Sequence, residues 1–185
     1  MLATALTRSN MPSIAITGTP AVGKTAVSEL LGLQGWEVAT VADLAKQHMC
    51  EGKFDELMGS LEIDIHKLSE QYESTSLENT IIDGHLSHFL DVDAIVILRC
   101  APEVLRTRLT SRGYDEAKIN ANVEWEMVAG TWSEVLEFEI NKPILELDTS
   151  QFNPEQIAFM ITEWLDDDYT LPVGDDSSVI DWLAD

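Results

Sequence analysis

Residues Gly18–Thr25 read GTPAVGKT, which meets every fixed position of the phosphate-binding pattern G-x-x-x-x-G-K-[ST]. The chemistry demands that composition. Glycine at 18 and 23 lets the backbone curl until successive N–H groups point inward at phosphate oxygens. Lys24 brings a mobile positive charge to the outer phosphates, and the Thr25 hydroxyl is a natural magnesium ligand. Ser13–Thr17 (SIAIT) leans toward a strand and Thr25–Leu33 reads as the start of a helix. A helix beginning there aims its positive end at the same anion. A glycine-rich turn carrying a surface lysine is the plainer reading, but strand, loop and helix together favour a nucleoside triphosphate site.

A chain of 185 residues fits one domain and can bury a real core. No run of 18 apolar residues occurs, so no membrane span is expected. The first ten residues hold one arginine and no long apolar stretch, so no secretory signal is expected. Cys50 and Cys100 lack metal-ligand spacing and read as free thiols of a reducing cytoplasm. The 33 acids against 11 bases, net −22, argue against extensive contact with nucleic acid. Two explanations stay open for so acidic a surface: a salt-rich cytoplasm, or docking to a basic protein.

Outward from the loop, strand-like and helix-like segments alternate, which predicts an α/β domain with a mainly parallel sheet. Trp36–Thr40, Thr80–Asp83, Ala94–Arg99 and Ile144–Leu147 are the further expected strands. Ala94–Arg99 (AIVILR) has the unbroken apolar character of a central one. Asp43–His48, Asp64–Tyr72 and Pro102–Leu109 read as helical, and one long amphipathic helix is expected over Ile119–Phe138. Asn153 is placed to cap a last helix reaching Leu165, with Pro154 at its first position. Asp166–Asp185 reads as an acidic tail with one amphipathic anchor near Val179–Leu183.

Magnesium beside a phosphate loop needs an acid at the end of a neighbouring strand, and Asp83 closes TIID. His85 lies two residues on. If the chain stays extended, both side chains share a face, and His85 can then orient a water or phosphate. Arg106, Arg108, Arg112 and Lys118 hold four of the eleven basic residues, and Arg112-Gly113-Tyr114 reads as the hinge of an arginine-bearing cover. Pairing of that patch with Glu103, Asp115 and Glu116 is the structural alternative. In the stretch from about 40 to 75, Asp43 and Asp64 are candidates for an acceptor's sugar or base, and equally for helix caps.

These residues, GTPAVGKT with Asp43-Leu44-Ala45, Asp83-Gly84-His85, ILRC with Pro102, and RLTSRGYDEAKINANVEWE, resemble one group. It is the archaeal "putative adenylate kinases", similar to eukaryotic adenylate kinase isoenzyme 6. The resemblance covers about residues 12–165. It implies a three-layer P-loop kinase domain with a five-stranded parallel sheet flanked by helices. It also implies an acceptor-binding region at about 40–75 and a short lid at about 111–121. The tail from 166 to 185 lies outside it. The implied activity is phosphate transfer from ATP to AMP with magnesium, together with ATP hydrolysis. The implied partner is a basic platform protein met during small ribosomal subunit maturation. By position, Gly18, Gly23, Lys24 and Thr25 hold phosphate and metal, and Asp83 is the Walker B acid. His85 serves hydrolysis, Arg112 closes on ATP, and Asn153 lies in the loop that passes the adenine. Two loop positions depart from the family's pattern. Ala21 stands where glycine is usual, which is tolerable while φ stays negative, and Ala26 stands where a hydroxyl residue is usual.

Three functions compete: an ATP:AMP phosphotransferase, an assembly ATPase, and another small-molecule kinase on the same fold. A GTP switch is disfavoured, because Gly52-Lys53-Phe54-Asp55 is only a poor match to a guanine motif and Asp83 lacks the following D-x-x-G glycine.

Overall fold

A computed structural model describes residues 12–55, 60–72, 79–170 and 180–184. The four residues of β1 (Ile14–Thr17) are all buried. This strand is the centre of a five-stranded sheet. β5 (Thr80–Asp83) lies on one side of it, with β2 (Glu37–Thr40) at that edge, and β6 (Ala94–Arg99) and β7 (Ile144–Asp148) lie on the other. Every pairing is parallel. The period-2 alternation of a strand then divides the core between the two faces. Ile14, Ile16, Val96 and Leu98 face one apolar cluster, and Ala15, Ile82, Ile95 and Ile97 face the other.

Helices cover both faces and make three layers. α1 (Lys24–Leu33), α4 (Pro102–Ser111) and α7 (Pro154–Asp166) contribute Val27, Leu31, Leu105, Leu109, Ile157 and Ile161 to the first cluster. α2 (Val41–Gln47) and α3 (Ile65–Gln71) contribute Leu44 and Leu68 to the second. The capping box at Asn153 and Gln156, with Pro154 behind it, starts α7 as the sequence predicts. Cys50 and Cys100 are free and buried. Among the described residues, no helix is long and apolar enough to cross a membrane.

Three expectations need correction. The long helix over Ile119–Phe138 is two, α5 (Glu116–Met127) and α6 (Gly130–Glu137). Ala129 between them takes a left-handed φ of 50°. Gly130 then comes so close to the Trp125 indole that a Cβ there would lie 2.1 Å from the ring. The region from 40 to 75 is not simply helical, because β3 (Glu51–Asp55) and β4 (Ser60–Ile63) pair there as an antiparallel hairpin. The chain also does not stay extended after Asp83. It bends at Gly84 into a short 3-10 turn at Ser87–Phe89.

Gly84 permits that bend by its size, since a Cβ would meet Val41 Cγ2 at 2.5 Å and Cβ at 2.8 Å. Val41 is buried, so it cannot swing aside. Gly84→Ala is expected to lower unfolding stability by about 1–3 kcal/mol, measured by urea denaturation; an unchanged midpoint would contradict the tight packing.

Candidate active site

The site is built at the carboxyl ends of the strands, where open parallel sheets take ligands. β1 runs directly into the phosphate loop. Gly18 has φ +126°, and a Cβ on it would stand 2.2 Å from the Leu98 carbonyl oxygen, so only glycine fits. Gly23 has φ +111° and caps α1. Between them Ala21 has φ +72°. The negative φ that would make alanine tolerable here is absent, and the residue sits in the left-handed region that L side chains resist.

Lys24 Nζ donates to the carbonyls of Gly18 at 2.8 Å and Thr19 at 3.0 Å. Burial lowers its pKa to about 8; Asp83 and Glu126 oppose that shift, whereas Arg112 adds to it. Thr25 Oγ1 donates to Asp83 Oδ2 at 2.9 Å. The sheet register places Asp83 level with Ile16 and Thr40, at the same end as the loop. Among the described residues, no group of three or more His, Cys, Asp or Glu forms a cage for a metal. One hydroxyl and one carboxylate suit magnesium, which keeps waters and takes phosphate oxygens as its other ligands.

His85 is brought to the cleft by the bend at Gly84 rather than by strand alternation. Its carbonyl accepts from Thr17 Oγ1 at 3.1 Å. The ring keeps contact with solvent, yet the surrounding protein and the nearby Lys24 charge lower its pKa to about 4, with His88 adding and Glu134 opposing. The ring is therefore neutral at pH 7. His88 is buried, with Nδ1 2.9 Å from Thr17 Oγ1. Its Nε2 lies 3.2 Å from Glu134 Oε2 without hydrogen-bond alignment.

The basic cluster divides. Arg106 turns outward to Glu116 and Asn120, at 2.9 and 2.6 Å. Arg108 donates to the Val22 carbonyl and to Thr149 Oγ1 and its carbonyl, at 3.2, 3.0 and 2.7 Å. It thus ties the loop after β7 to the phosphate loop. Arg112 and Lys118 line the main cleft, a cavity of about 590 Å³ that also includes Gly18, Gly23, Lys24, Thr25, Ala26 and His85. Tyr114 and Trp125 line it too, and Lys118 Nζ lies 4.1 Å from the Tyr114 ring centre. Ala21 also borders a second cavity of about 350 Å³ with Arg108, Thr149, Phe152 and Asn153. Asn153 Oδ1 is occupied by the Gln156 amide.

Asp43 and Asp64 are not among the residues lining either cavity. Asp64 caps α3 through the Lys67 amide, and Asp43 accepts from Thr40 Oγ1. Both are exposed. Sequence reasoning missed Thr19, whose hydroxyl donates to the buried Glu126 at 2.5 Å. A signal existed, because Ile119, Asn122, Val123 and Glu126 share one helical face and all are buried.

An AAA domain family model matches residues 14–129. A Thermococcus gammatolerans protein named "Putative adenylate kinase" is 40% identical over 172 residues, covering 91% of this chain and 92% of its own. An identically named Archaeoglobus fulgidus protein is 36% identical over 172 residues, covering 93% and 92%. The chain belongs to this archaeal adenylate kinase family. Solved structures share its fold. A deoxyadenosine kinase from M. mycoides with bound dATP superposes with a TM-score of 0.52 at 17% identity, covering 83% of this chain and 99% of its own. A Bacteroides thetaiotaomicron shikimate kinase gives 0.55 at 14% identity, covering 83% and 98%.

Within this family member, Ala21→Gly is expected to raise stability by up to about 1 kcal/mol, read from thermal or urea unfolding; a loss of stability would show that the left-handed turn is unstrained. The His85 shift has its own signature. Between pH 4 and 6.5 the unfolded chain binds more protons at this ring than the folded one, so stability rises with pH across that window. His85→Asn should flatten that part of the stability profile, and an unchanged slope would contradict the shifted ring.

Proposed function

We propose that this protein is a magnesium-dependent ATP:AMP phosphotransferase that also hydrolyses ATP. The observation that carries this reading is the joining of Thr25 to Asp83 beside a cavity that Lys24 and Arg112 both face. The two cations disfavour each other, so the cavity is electrostatically prepared for a polyanion. Thr25 and Asp83 would be the protein groups that hold magnesium, and the metal would supply charge neutralisation to the phosphates. Lys24 leaves the loop carbonyls for the phosphates. Arg112 closes over them from the lid at about 111–121. The adenine fits the second cavity beside Arg108 and the loop containing Asn153.

An AMP phosphate oxygen attacks the γ-phosphorus as the bond to the β–γ bridging oxygen breaks, giving two ADP. The protein contributes position and charge, and no covalent intermediate is required. The name of the relatives, adenylate kinase, supports AMP as the acceptor, and the region at about 40–75 is the proposed place for it. Asp64 is occupied as the cap of α3 and Asp43 by its bond to Thr40, the cap of α2, which favours contacts from other residues there.

A second reading, an assembly ATPase, draws on His85. A neutral imidazole in the cleft can take a proton from an attacking water. The resemblance to adenylate kinase isoenzyme 6 extends this reading to small ribosomal subunit maturation in the cytoplasm. A basic platform ribosomal protein would be the partner, and the net charge of −22 suits that contact.

Coupled detection of ADP with and without AMP tests the reading. AMP should accelerate ADP formation, and Lys24→Met should lower kcat/KM by at least about 100-fold. ADP release that ignores AMP would overturn the kinase reading. His85→Ala should reduce hydrolysis by about 100-fold while sparing transfer to AMP; equal loss of both would remove His85 from water activation.

A further inference from the structure

Glu126, on the last turn of α5, is 2% exposed and has every oxygen engaged. Its Oε2 accepts from Thr19 Oγ1 at 2.5 Å. Its Oε1 accepts from Arg99 Nε at 2.6 Å, from the Cys100 amide at 3.2 Å and from Trp182 Nε1 at 3.1 Å. Its backbone carbonyl accepts from Arg99 Nη2 at 2.9 Å. Arg99 turns its remaining donor, Nη1, to Glu146 Oε1 at 2.6 Å and to the Ile180 carbonyl at 3.0 Å. Glu146 Oε2 in turn accepts from the Ile180 amide at 2.8 Å. The Arg99 guanidinium also lies 5.8 Å from the centre of the Trp182 ring.

One guanidinium here balances two carboxylates, so the cluster carries a surplus negative charge that neutral donors must satisfy. Two of those donors, the Ile180 amide and the Trp182 indole, come from the chain's last residues. The same carboxylate that takes the indole N–H holds Thr19, and the Thr19 carbonyl holds Lys24 Nζ at 3.0 Å. A continuous hydrogen-bonded path therefore runs from Trp182 through Glu126 and Thr19 to Lys24.

We infer that the C-terminal segment Ile180–Leu183 is a clamp on the phosphate loop, and that Glu126 is the positioning residue through which it acts. Docked, the segment fixes Glu126 against Thr19 and keeps the loop in the geometry that receives phosphate. Released, it takes away one of the three donors on Glu126 Oε1, leaving Arg99 Nε and the Cys100 amide to hold the carboxylate, and the Thr19 turn loosens. Docking of this segment then sets how firmly the phosphate loop is held. The consequence for ATP, though not the clamp itself, rests on the nucleotide reading above.

Hydrogen exchange of the amides between residues 18 and 25, in the nucleotide-free full-length chain, tests the clamp. Trp182→Phe removes the N–H and keeps a ring on Arg99; Thr19→Val removes the hydroxyl at constant shape. Each should accelerate loop exchange by about five- to twentyfold, and the double variant should go no further, because both act through one carboxylate. Thr19→Ser should restore protection. The KM for ATP should rise in step, with kcat little changed. Unaltered loop exchange in Trp182→Phe, or effects that multiply in the double variant, would overturn the clamp. Loop exchange that shifts as expected in a protein that never uses ATP would sink the nucleotide reading and leave the clamp standing.

Discussion

Only a residue without a side chain can pass the Leu98 carbonyl at position 18, where a Cβ would lie 2.2 Å from its oxygen. That close approach of β1's exit to β6 sets the curl of the phosphate loop, and the rest of the site follows from it. β6 then acts on the loop a second time. Arg99, one residue beyond Leu98, anchors Glu126, and Glu126 reaches back to Thr19. The backbone of one strand residue and the side chain of the next thus hold the loop from two directions. The parallel pairing of β1 with β6, Thr17 against Ile97, keeps both in register.

Charge is organised on two length scales. The chain as a whole is strongly negative, which disfavours a polyanionic substrate at long range. Ionic screening confines that penalty to about 8 Å at physiological salt. Inside the cleft, Lys24 and Arg112 dominate, and their mutual repulsion is relieved by whatever anion enters. A substrate's phosphates therefore do for these cations what the acidic surface, facing outward, does not.

The sheet was legible because parallel strands buried on both faces are written as apolar runs: IAIT, TIID and AIVILR all fall where expected. The phosphate loop and the Asn153 cap were legible because their chemistry is local. What escaped depended on contacts distant in sequence. Nothing local in residues 119–138 announces that Gly130 will turn under Trp125 and split the helix. The hairpin of β3 and β4 carries too few apolar residues to set a period. His85 was recognised for its spacing from Asp83, but a bend at Gly84 delivers it instead. Of the four basic residues read as a lid cluster, two face the cleft, Arg106 pairs outward with Glu116 and Asn120, and Arg108 ties two loops together, a division only tertiary geometry decides. Ala21 is the sharpest case. The sequence marks it as unusual, and its left-handed φ is visible only in the fold.

The central claim is that the cleft at the phosphate loop and the regions adjoining it hold a donor nucleotide and an acceptor nucleotide end to end. Calorimetric titration with a bisubstrate compound, two adenosines joined through five phosphates, tests it most directly. The account predicts one compound per chain, bound at least about 100-fold more tightly than ATP, with binding lost in Lys24→Met. Affinity no better than that of ATP alone would mean that no second nucleotide site adjoins the phosphate loop, and would contradict it.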